Sequence, residues 1–433
     1  MASNEFSNIF KVPELKKRIF YTFALLAVYR IGSHIPTPGI DAAALADFFS
    51  KTRGTILGFF DMFSGGALSR LTIFALGIMP YISVSIILEL MVVVVPALEK
   101  LKKEGEAGRR KINQYTRYGT VFLCIFQAMG ISFWLESMRS PTGALVVSSP
   151  GWHFRFVTVL TLTAGTTFIM WLGEQITERG IGNGISLIIF AGIVAGMPSA
   201  MVNSYRLLAA GEIKLLVLMA VVVLMLAVVA WIVFMESAQR RIPVQYAKRV
   251  VGRKMYSGQS THLPLKVNTA GVIPPIFASS IIMFPSMITN FVDHPIMKKM
   301  SGFLMPGTAF YTSIYVVMII FFCYFYTAIV FDPVEVADNM KKHGGFIPGI
   351  RPGRPTASHI DRILTRITLI GAIYVSAVCV LPDFFIKNFG IPFYFGGTGL
   401  LIVVGVAMDT IAQVESHLVM RHYDAFNKKK NRR

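Results

Sequence analysis

The sequence predicts an all-α polytopic membrane protein with ten transmembrane helices. Three observations predict it. Of the 433 residues, 54% are hydrophobic and only 15% charged, far more apolar surface than a soluble core needs. Ten stretches reach the length of about 20 mostly apolar residues that a helix requires to cross hydrocarbon, where unpaired backbone groups are too costly to leave. The basic residues alternate in density from one side of those stretches to the other.

The spans are placed at 19–36, 72–95, 118–136, 155–173, 185–204, 215–235, 271–290, 309–331, 367–383 and 395–415. The sixth, LLVLMAVVVLMLAVVAWIVF, is the most uniformly apolar, whereas the fifth and seventh carry Gly and Pro. The N-terminal MASNEFSNIFKVPELKKR has no cleavable signal pattern, so the first span is expected to stay as an anchor. Lys and Arg number 31 on one side and 10 on the other, with Arg30 inside span one accounting for the last of the 42. The basic side, termini included, is therefore expected in the cytoplasm, with a bacterial-type inner membrane the simplest setting.

The spans divide five and five at Tyr205 to Lys214, giving an N-terminal half 1–204, a C-terminal half 205–415 and a basic tail 416–433. Five crossings invert direction, so the second half starts from the opposite side; this is the topology of an inverted repeat, although the halves share no visible sequence similarity. Such halves suggest a central path, as in channels and secondary transporters. Arg30, Glu89, Glu174 and Asp409 lie toward span ends while the middles are mostly Ile, Val, Leu, Phe and Gly, which argues against a proton-coupled carrier. Asp61 and the polar residues of span two keep a secondary solute transporter open as the alternative. A membrane assembly factor without a pore is a third reading.

Catalytic chemistry is not expected. There is no GxxxxGK[ST] loop and no HExxH pair, the GIGNG run at 180–184 is a weak glycine motif, and no metal or cofactor site is called for. Cys124, Cys323 and Cys379 all lie in apolar stretches, where they act as small packing residues. Energy for transport must then come from a partner or an ion gradient. Basic stretches at 99–119, 236–256 and 341–356 are placed on cytoplasmic loops long enough to project, the last two within large loops at about 236–270 and 332–366, and are suited to meeting such a partner. Positive-inside topology explains many of these charges by itself. An Arg among glycines and prolines at a turn is less easily explained so, which singles out Arg351 and Arg354.

One short segment resists this scheme: FFDMFSGGALSRLTIF, 59–74, is too oily for an ordinary loop and too broken to cross a membrane. An interfacial amphipathic helix is its simplest reading from the residues alone. The chain, however, resembles the SecY family of protein-translocation channels nearly end to end. The resemblance is carried by FDMFSGGALSR, FALGIMPYISVSII, KKEGEAGRRKINQYTRYGT, WLGEQITERGIGNGIS, QSTHLPLKVNTAGVIPPIFASS, FYTAIVFDPVEVADNMKK, GGFIPGIRPG and PFYFGGTGLLIVV. The external loops 136–153 and 290–307 carry no recognisable pattern.

The resemblance implies two inverted five-helix halves around a central pore, and makes 56–70 a short re-entrant plug helix. Phe59, Phe60, Met62, Phe63 and Leu68 supply an apolar block, and Gly65 and Gly66 let it bend or slide. It implies a pore ring of Ile78, Ile82, Ile185, Ile189, Ile276 and Ile402, apolar enough to exclude water yet indifferent to the sequence passing through. It places a lateral gate between spans two and seven, flanked by three and eight. Gly77, Pro80, Gly271, Pro274 and Pro275 are expected to weaken helix continuity there, the double proline departing from the family's single one. Finally it implies that Arg240, Arg241, Arg253, Lys254 and Arg351 dock a ribosome or a SecA-type motor ATPase. SecE-type and SecG-type small membrane subunits would complete the complex, with unfolded preprotein, signal sequence and lipid bilayer as its other partners.

Overall fold

A computed structural model of the chain describes residues 12–41, 45, 61, 64–138, 146–147, 149–211, 214–246, 249–251, 254–256, 260–289, 308–389 and 397–430. Its helices are α1 (Pro13–Gly32), α2 (Met79–Val94), α3 (Pro96–Lys103), α4 (Glu106–Ser137), α5 (Trp152–Arg179), α6 (Gly184–Ala209), α7 (Leu215–Ser237), α8 (Ile273–Thr289), α9 (Ala309–Val330), α10 (Pro333–Lys342), α11 (Arg354–Phe389) and α12 (Gly397–Lys430). Between α7 and α8 lie strands β1 (Gln239–Tyr246), β2 (Arg249–Val251), β3 (Lys254–Tyr256) and β4 (Ser260–Lys266), and β5 (Gly345–Phe346) follows α10.

Among the described residues seven helices are long and apolar enough to cross a bilayer, and α2 with α3 makes an eighth, bent by 98° between them. With α1 and the shorter α8, each of the ten predicted stretches coincides with a helix. The bend has a local cause. Pro96 has no N–H to continue the ladder and pushes Val95 to an extended φ of −101°, so the apolar span stops and a basic turn of helix starts in a new direction.

The chain divides into two compact units. The first comprises Met1–Glu212, Ile282–Pro306 and Val406–Arg433; the second comprises Ile213–Ile281 and Gly307–Gly405. In the first, α4 and α5 run antiparallel and are pinned at both ends. Arg117 near the start of α4 pairs with Glu174 near the end of α5 at 2.7 Å, and Glu136 at the end of α4 pairs with Arg155 at the start of α5. On each helix 19 residues separate the two charged positions, about 28 Å at 1.5 Å per residue, so the pairs bracket a hydrocarbon slab. Arg155 also lies over the Phe133 ring at 4.2 Å, and Glu136 accepts from the Gly151 amide at 2.9 Å. Between the ion pairs the contact is made by small and weakly polar residues. Cys124, Ala128, Ser132 and Thr158 are buried there, and the Cys124 thiol lies 3.8 Å from the Leu162 carbonyl.

In the second unit β1 is the centre of an antiparallel sheet ordered β4-β1-β5, with Ile242 opposite Leu263 and Gln245 opposite Phe346. β2 and β3 pair separately, Val250 opposite Met255. Ile242, Val244 and Leu265 are buried with Met340 of α10, Ile347, and Ile360 and Ile367 of α11. This is a second hydrophobic core, built from strands and helices together.

The segments predicted as loops are thus largely folded. Residues 239–246 and 260–266 are strands, 333–342 and 354 onward are helices, and the basic stretch 99–119 is almost wholly helical, in α3 and the first turns of α4. The signal for the hairpin was present as alternation of Ile242 with Val244 and of Leu263 with Leu265 across one face. The three cysteines are all buried. Ile360 is fully buried in the second core, so Ile360→Ala is expected to destabilise it by about 2–5 kcal/mol, measured as faster tryptic cleavage after Arg240 and Arg241 in the purified protein.

Candidate functional site

The described part of the oily segment starts at Asp61 and Ser64 and forms a turn, not the head of a continuous span. Gly65 and Gly66 take φ values of +68° and +82°, open to glycine and strained for other residues. The turn closes on Asp61: its carbonyl accepts from the Gly66 amide at 2.8 Å and from the Ser64 hydroxyl at 3.1 Å, and its carboxylate from the Ser69 amide at 2.7 Å. Two neighbouring side chains of α1 tie it from outside. The Tyr29 hydroxyl donates to the Ser64 carbonyl at 3.2 Å, and an Arg30 guanidinium nitrogen to the Gly65 carbonyl at 3.0 Å. Gly65 also lies against α6, where an added Cβ would come within 2.9 Å of the Gly192 Cα.

From the turn the chain runs on as non-helical backbone to Ile78. Thr37 donates to the Leu71 carbonyl at 2.9 Å and Ile73 to the Ile35 carbonyl at 3.0 Å, which seats this stretch beside the end of α1. Leu71, fully buried, is the one described non-glycine residue with positive φ, +39°. Phe74 stacks on Tyr29 at 5.9 Å and on Phe168 at 6.2 Å, in a groove that exists because residue 32 is glycine. Gly165 likewise admits the Ile73 carbonyl; a Cβ there would sit 1.9 Å from that oxygen.

The expected ring residues occupy helix beginnings or buried helix faces. Ile78 is the N-cap of α2 and Ile82 lies in its first turn, with the Ile82 amide on the Ile78 carbonyl at 3.1 Å; both are buried. Ile185 and Ile189 stand one turn apart at the head of α6, where the Asn183 carboxamide caps the Ile185 amide at 3.1 Å. The GIGNG run is the knot that places this helix head. The Ile181 amide is taken by the Thr22 hydroxyl of α1 at 3.1 Å, Gly182 by the Gln413 side chain of α12 at 2.9 Å, and Gly184 by the Thr177 hydroxyl of α5 at 2.9 Å. In the second unit Ile276 is in the first turn of α8 and Ile402 in α12, both buried.

The glycines and prolines expected to interrupt spans do something different. Gly77 and Gly271, at φ +57° and +63°, end the preceding turns, while Pro80 and the pair Pro274 and Pro275 sit in the first turns of α2 and α8. Proline is tolerated there because those amides have no intrahelical partner. They start the helices and do not kink them.

Of the expected contact residues, Arg240 and Arg241 are exposed on β1, and Arg351 and Arg354 are exposed around the entry to α11. The turn carrying Arg351 is shaped by Gly349 and Gly353 at φ +82° and +98°, and the Thr356 hydroxyl closes it on the Arg351 carbonyl at 2.8 Å. Arg354 is not in the turn but opens the helix. Lys254 is in β3, while Arg253, with Phe59, Phe60, Met62 and Phe63 of the expected plug, lies outside the described residues. Leu68 is buried. Sequence reasoning missed Tyr29, Arg30, Gly192 and Gln413; the basic residue on the poorly charged side was the only visible cue to any of them.

A family model described as SecY matches residues 72–411. The protein translocase subunit SecY of Escherichia coli (strain K12) is 55% identical over 422 residues, covering 96% of this chain and 95% of that protein. The chain belongs to the SecY family. Its fold is shared with a structure described as "The structure of a protein conducting channel", at TM-score 0.66 and 16% identity over 93% of both chains. It is shared also with "Sec61 in the Canine ribosome-channel complex from the endoplasmic reticulum", at TM-score 0.62 and 17% identity over 93% of each. SecY membership makes the chain a multi-pass membrane protein and a channel subunit, and does not favour the solute-transporter alternative.

The two turn glycines of this SecY chain separate two costs. Gly65→Ala meets both the φ strain and the Gly192 backbone, whereas Gly66→Ala has open space and meets strain alone, about 1–2 kcal/mol. A cysteine introduced at Ser69 is expected to react with a membrane-impermeant maleimide faster in the Gly65→Ala background than in Gly66→Ala.

Proposed function

We propose that this chain is the pore-forming subunit of a protein-conducting channel that moves unfolded polypeptides across the cytoplasmic membrane and releases apolar segments sideways into lipid. The observation that carries the reading is the fate of the second apolar stretch. Its first third is not helix but folded backbone, preceded by a turn that α1 holds through two hydrogen bonds to its carbonyls. A helix bundle whose only task was to span the bilayer gains nothing from such a break, whereas a resting pore needs a seated, releasable stopper.

In this reading 56–70 is the plug, and Ile78, Ile82, Ile185, Ile189, Ile276 and Ile402 form the constriction. Branched apolar side chains dewet a narrow passage when it is empty and offer a translocating chain no hydrogen bonds to be caught on. The halves are 1–204 and 205–415, with the tail 416–433, and release occurs between spans two and seven. The exposed Arg240, Arg241, Arg351 and Arg354, with Arg253 and Lys254, face the cytoplasm and receive a SecA-type motor or a ribosome, whose RNA phosphates suit guanidinium groups. The asymmetry of 31 basic residues against 10 supports cytoplasmic termini in an inner membrane. SecE-type and SecG-type subunits, unfolded preprotein and its signal sequence are the remaining partners.

Two experiments test this. Deleting 56–70, or replacing Ile82 and Ile189 with glycine, is expected to give the resting channel a measurable ion conductance in planar bilayers; unchanged conductance in both would remove the assigned gate. Arg351→Glu is expected to slow motor-driven export into reconstituted vesicles at least ten-fold, as for a charge-assisted contact turned repulsive. Normal export would take Arg351 out of the docking surface.

A further inference from the structure

Of the 42 basic residues, Arg30 is the one placed inside a span, near the end of α1 on the side poor in charge. A cation there is disfavoured by topology, so a specific contact must repay it. Its guanidinium lies 3.0 Å from the Gly65 carbonyl and 3.4 Å from the Ser33 hydroxyl. The preceding residue, Tyr29, is 1% exposed, and its hydroxyl reaches the adjoining Ser64 carbonyl. Neighbouring residues of one helix therefore hold neighbouring carbonyls of one turn.

We propose that Tyr29 and Arg30 are the latch that holds the plug segment in the resting channel, a positioning pair for translocation. The inference rests on the reading of 56–70 as the plug. Both acceptors are backbone oxygens, so the latch senses where the turn is and not which side chains it carries. The base of the latch is fixed independently: the Tyr29 ring is stacked on Phe74, and Ser33 and Tyr29 close the end of α1 by a backbone hydrogen bond of 3.0 Å. The moving body is also defined. Asp61 ties Ser64, Gly66 and Ser69 together and Leu71 onward is anchored to residues 35 and 37; the pivot falls between them at Arg70 and Leu71, where φ turns positive and where two backbone bonds, from the Leu71 amide to the Leu68 carbonyl and from the Thr72 amide to the Ala67 carbonyl, join the two parts. When the turn leaves, water can replace both donors at the freed carbonyls, so the latch itself adds only the net value of those two hydrogen bonds to what the burial of Ala67 and Leu68 already contributes. That makes the latch reversible on binding of a signal sequence.

Tyr29→Phe removes the hydroxyl and keeps the ring stack, and Arg30→Met removes the donor and keeps an apolar stem. The full channel complex carrying each variant is compared with wild type and with the 56–70 deletion. Resting ion conductance is read in planar bilayers, and the amount of assembled channel in the membrane is read alongside. The latch predicts a rise in resting conductance of roughly five-fold for Tyr29→Phe and roughly ten- to thirty-fold for Arg30→Met, with assembly unchanged. It also predicts export of a preprotein whose signal sequence has a shortened apolar core. A merely structural role would reduce assembly without opening the channel, and that result overturns the proposal. A leak from the deletion but from neither variant overturns the latch and leaves the plug standing. No leak from any of the three overturns both.

Discussion

Hydrocarbon contains no water to satisfy an open backbone, and that constraint governs the most unusual part of this molecule. Residues 64–78 carry non-helical backbone into an otherwise helical first unit, so each exposed amide and carbonyl needs a protein partner. The structure supplies them. Asp61 takes amides on one side of the turn, Tyr29 and Arg30 give to its carbonyls on the other, and residues 35–37 pair with 71–73 like a fragment of sheet. Glycines at 32, 65 and 165 let these segments approach to distances that a Cβ would forbid. Much of the backbone of this broken span is thereby paired within the protein, as it is in a continuous helix.

The frame around it is held differently. The α4 and α5 pair carries its charges at the two ends and its small residues between them, so electrostatics fix depth and register while close packing fixes distance. α7 shows the opposite extreme. Leu216 and Phe234 are 80% and 66% exposed and only Val228 and Ile232 are buried, the pattern of a helix whose main neighbour is lipid. Depth-setting charges thus occur on the helix pair against which Leu68, Leu71 and Ala75 are packed.

The spans were legible because hydropathy over twenty residues is a summed signal that no tertiary contact reverses. Individual roles were not. Ile86 is 2% exposed and Ile87 is 50% exposed, two identical neighbours about 100° apart around α2; composition cannot tell a buried isoleucine from a lipid-facing one, and the six ring positions came from motif resemblance alone. The same limit explains the misread glycines and prolines. Gly77 and Pro80 are breakers in the middle of an apolar stretch but starters at a helix N-terminus, and only the position of that N-terminus decides which. Arg30 was visible as an oddity, yet its partner is a backbone carbonyl 35 residues away, which leaves no side-chain trace in the sequence. The hairpin was missed for a simpler reason: its alternating Ile242, Val244, Leu263 and Leu265 were passed over in favour of the basic residues between them.

The hairpin changes how the basic turn relates to the membrane. Had 332–366 been a loop, a force on Arg351 would be dissipated over flexible chain. Instead Arg351 precedes α11 by three residues, and α11 runs 29 residues, about 43 Å, from the exposed Arg354 to its interior Pro382. Ile360 and Ile367 on its first half are packed into the core formed with β1, β4 and α10, and Ala372, Val375 and Val378 are buried further along the same helix. Its interior proline, Pro382, lies beyond all of these. A rigid rod clamped near one end by a hydrophobic core transmits displacement to the other end with little loss, because bending it means lengthening several backbone hydrogen bonds at once. The turn, the sheet and the first half of α11 are therefore one packed body, and the sheet is what fixes the entry of the helix.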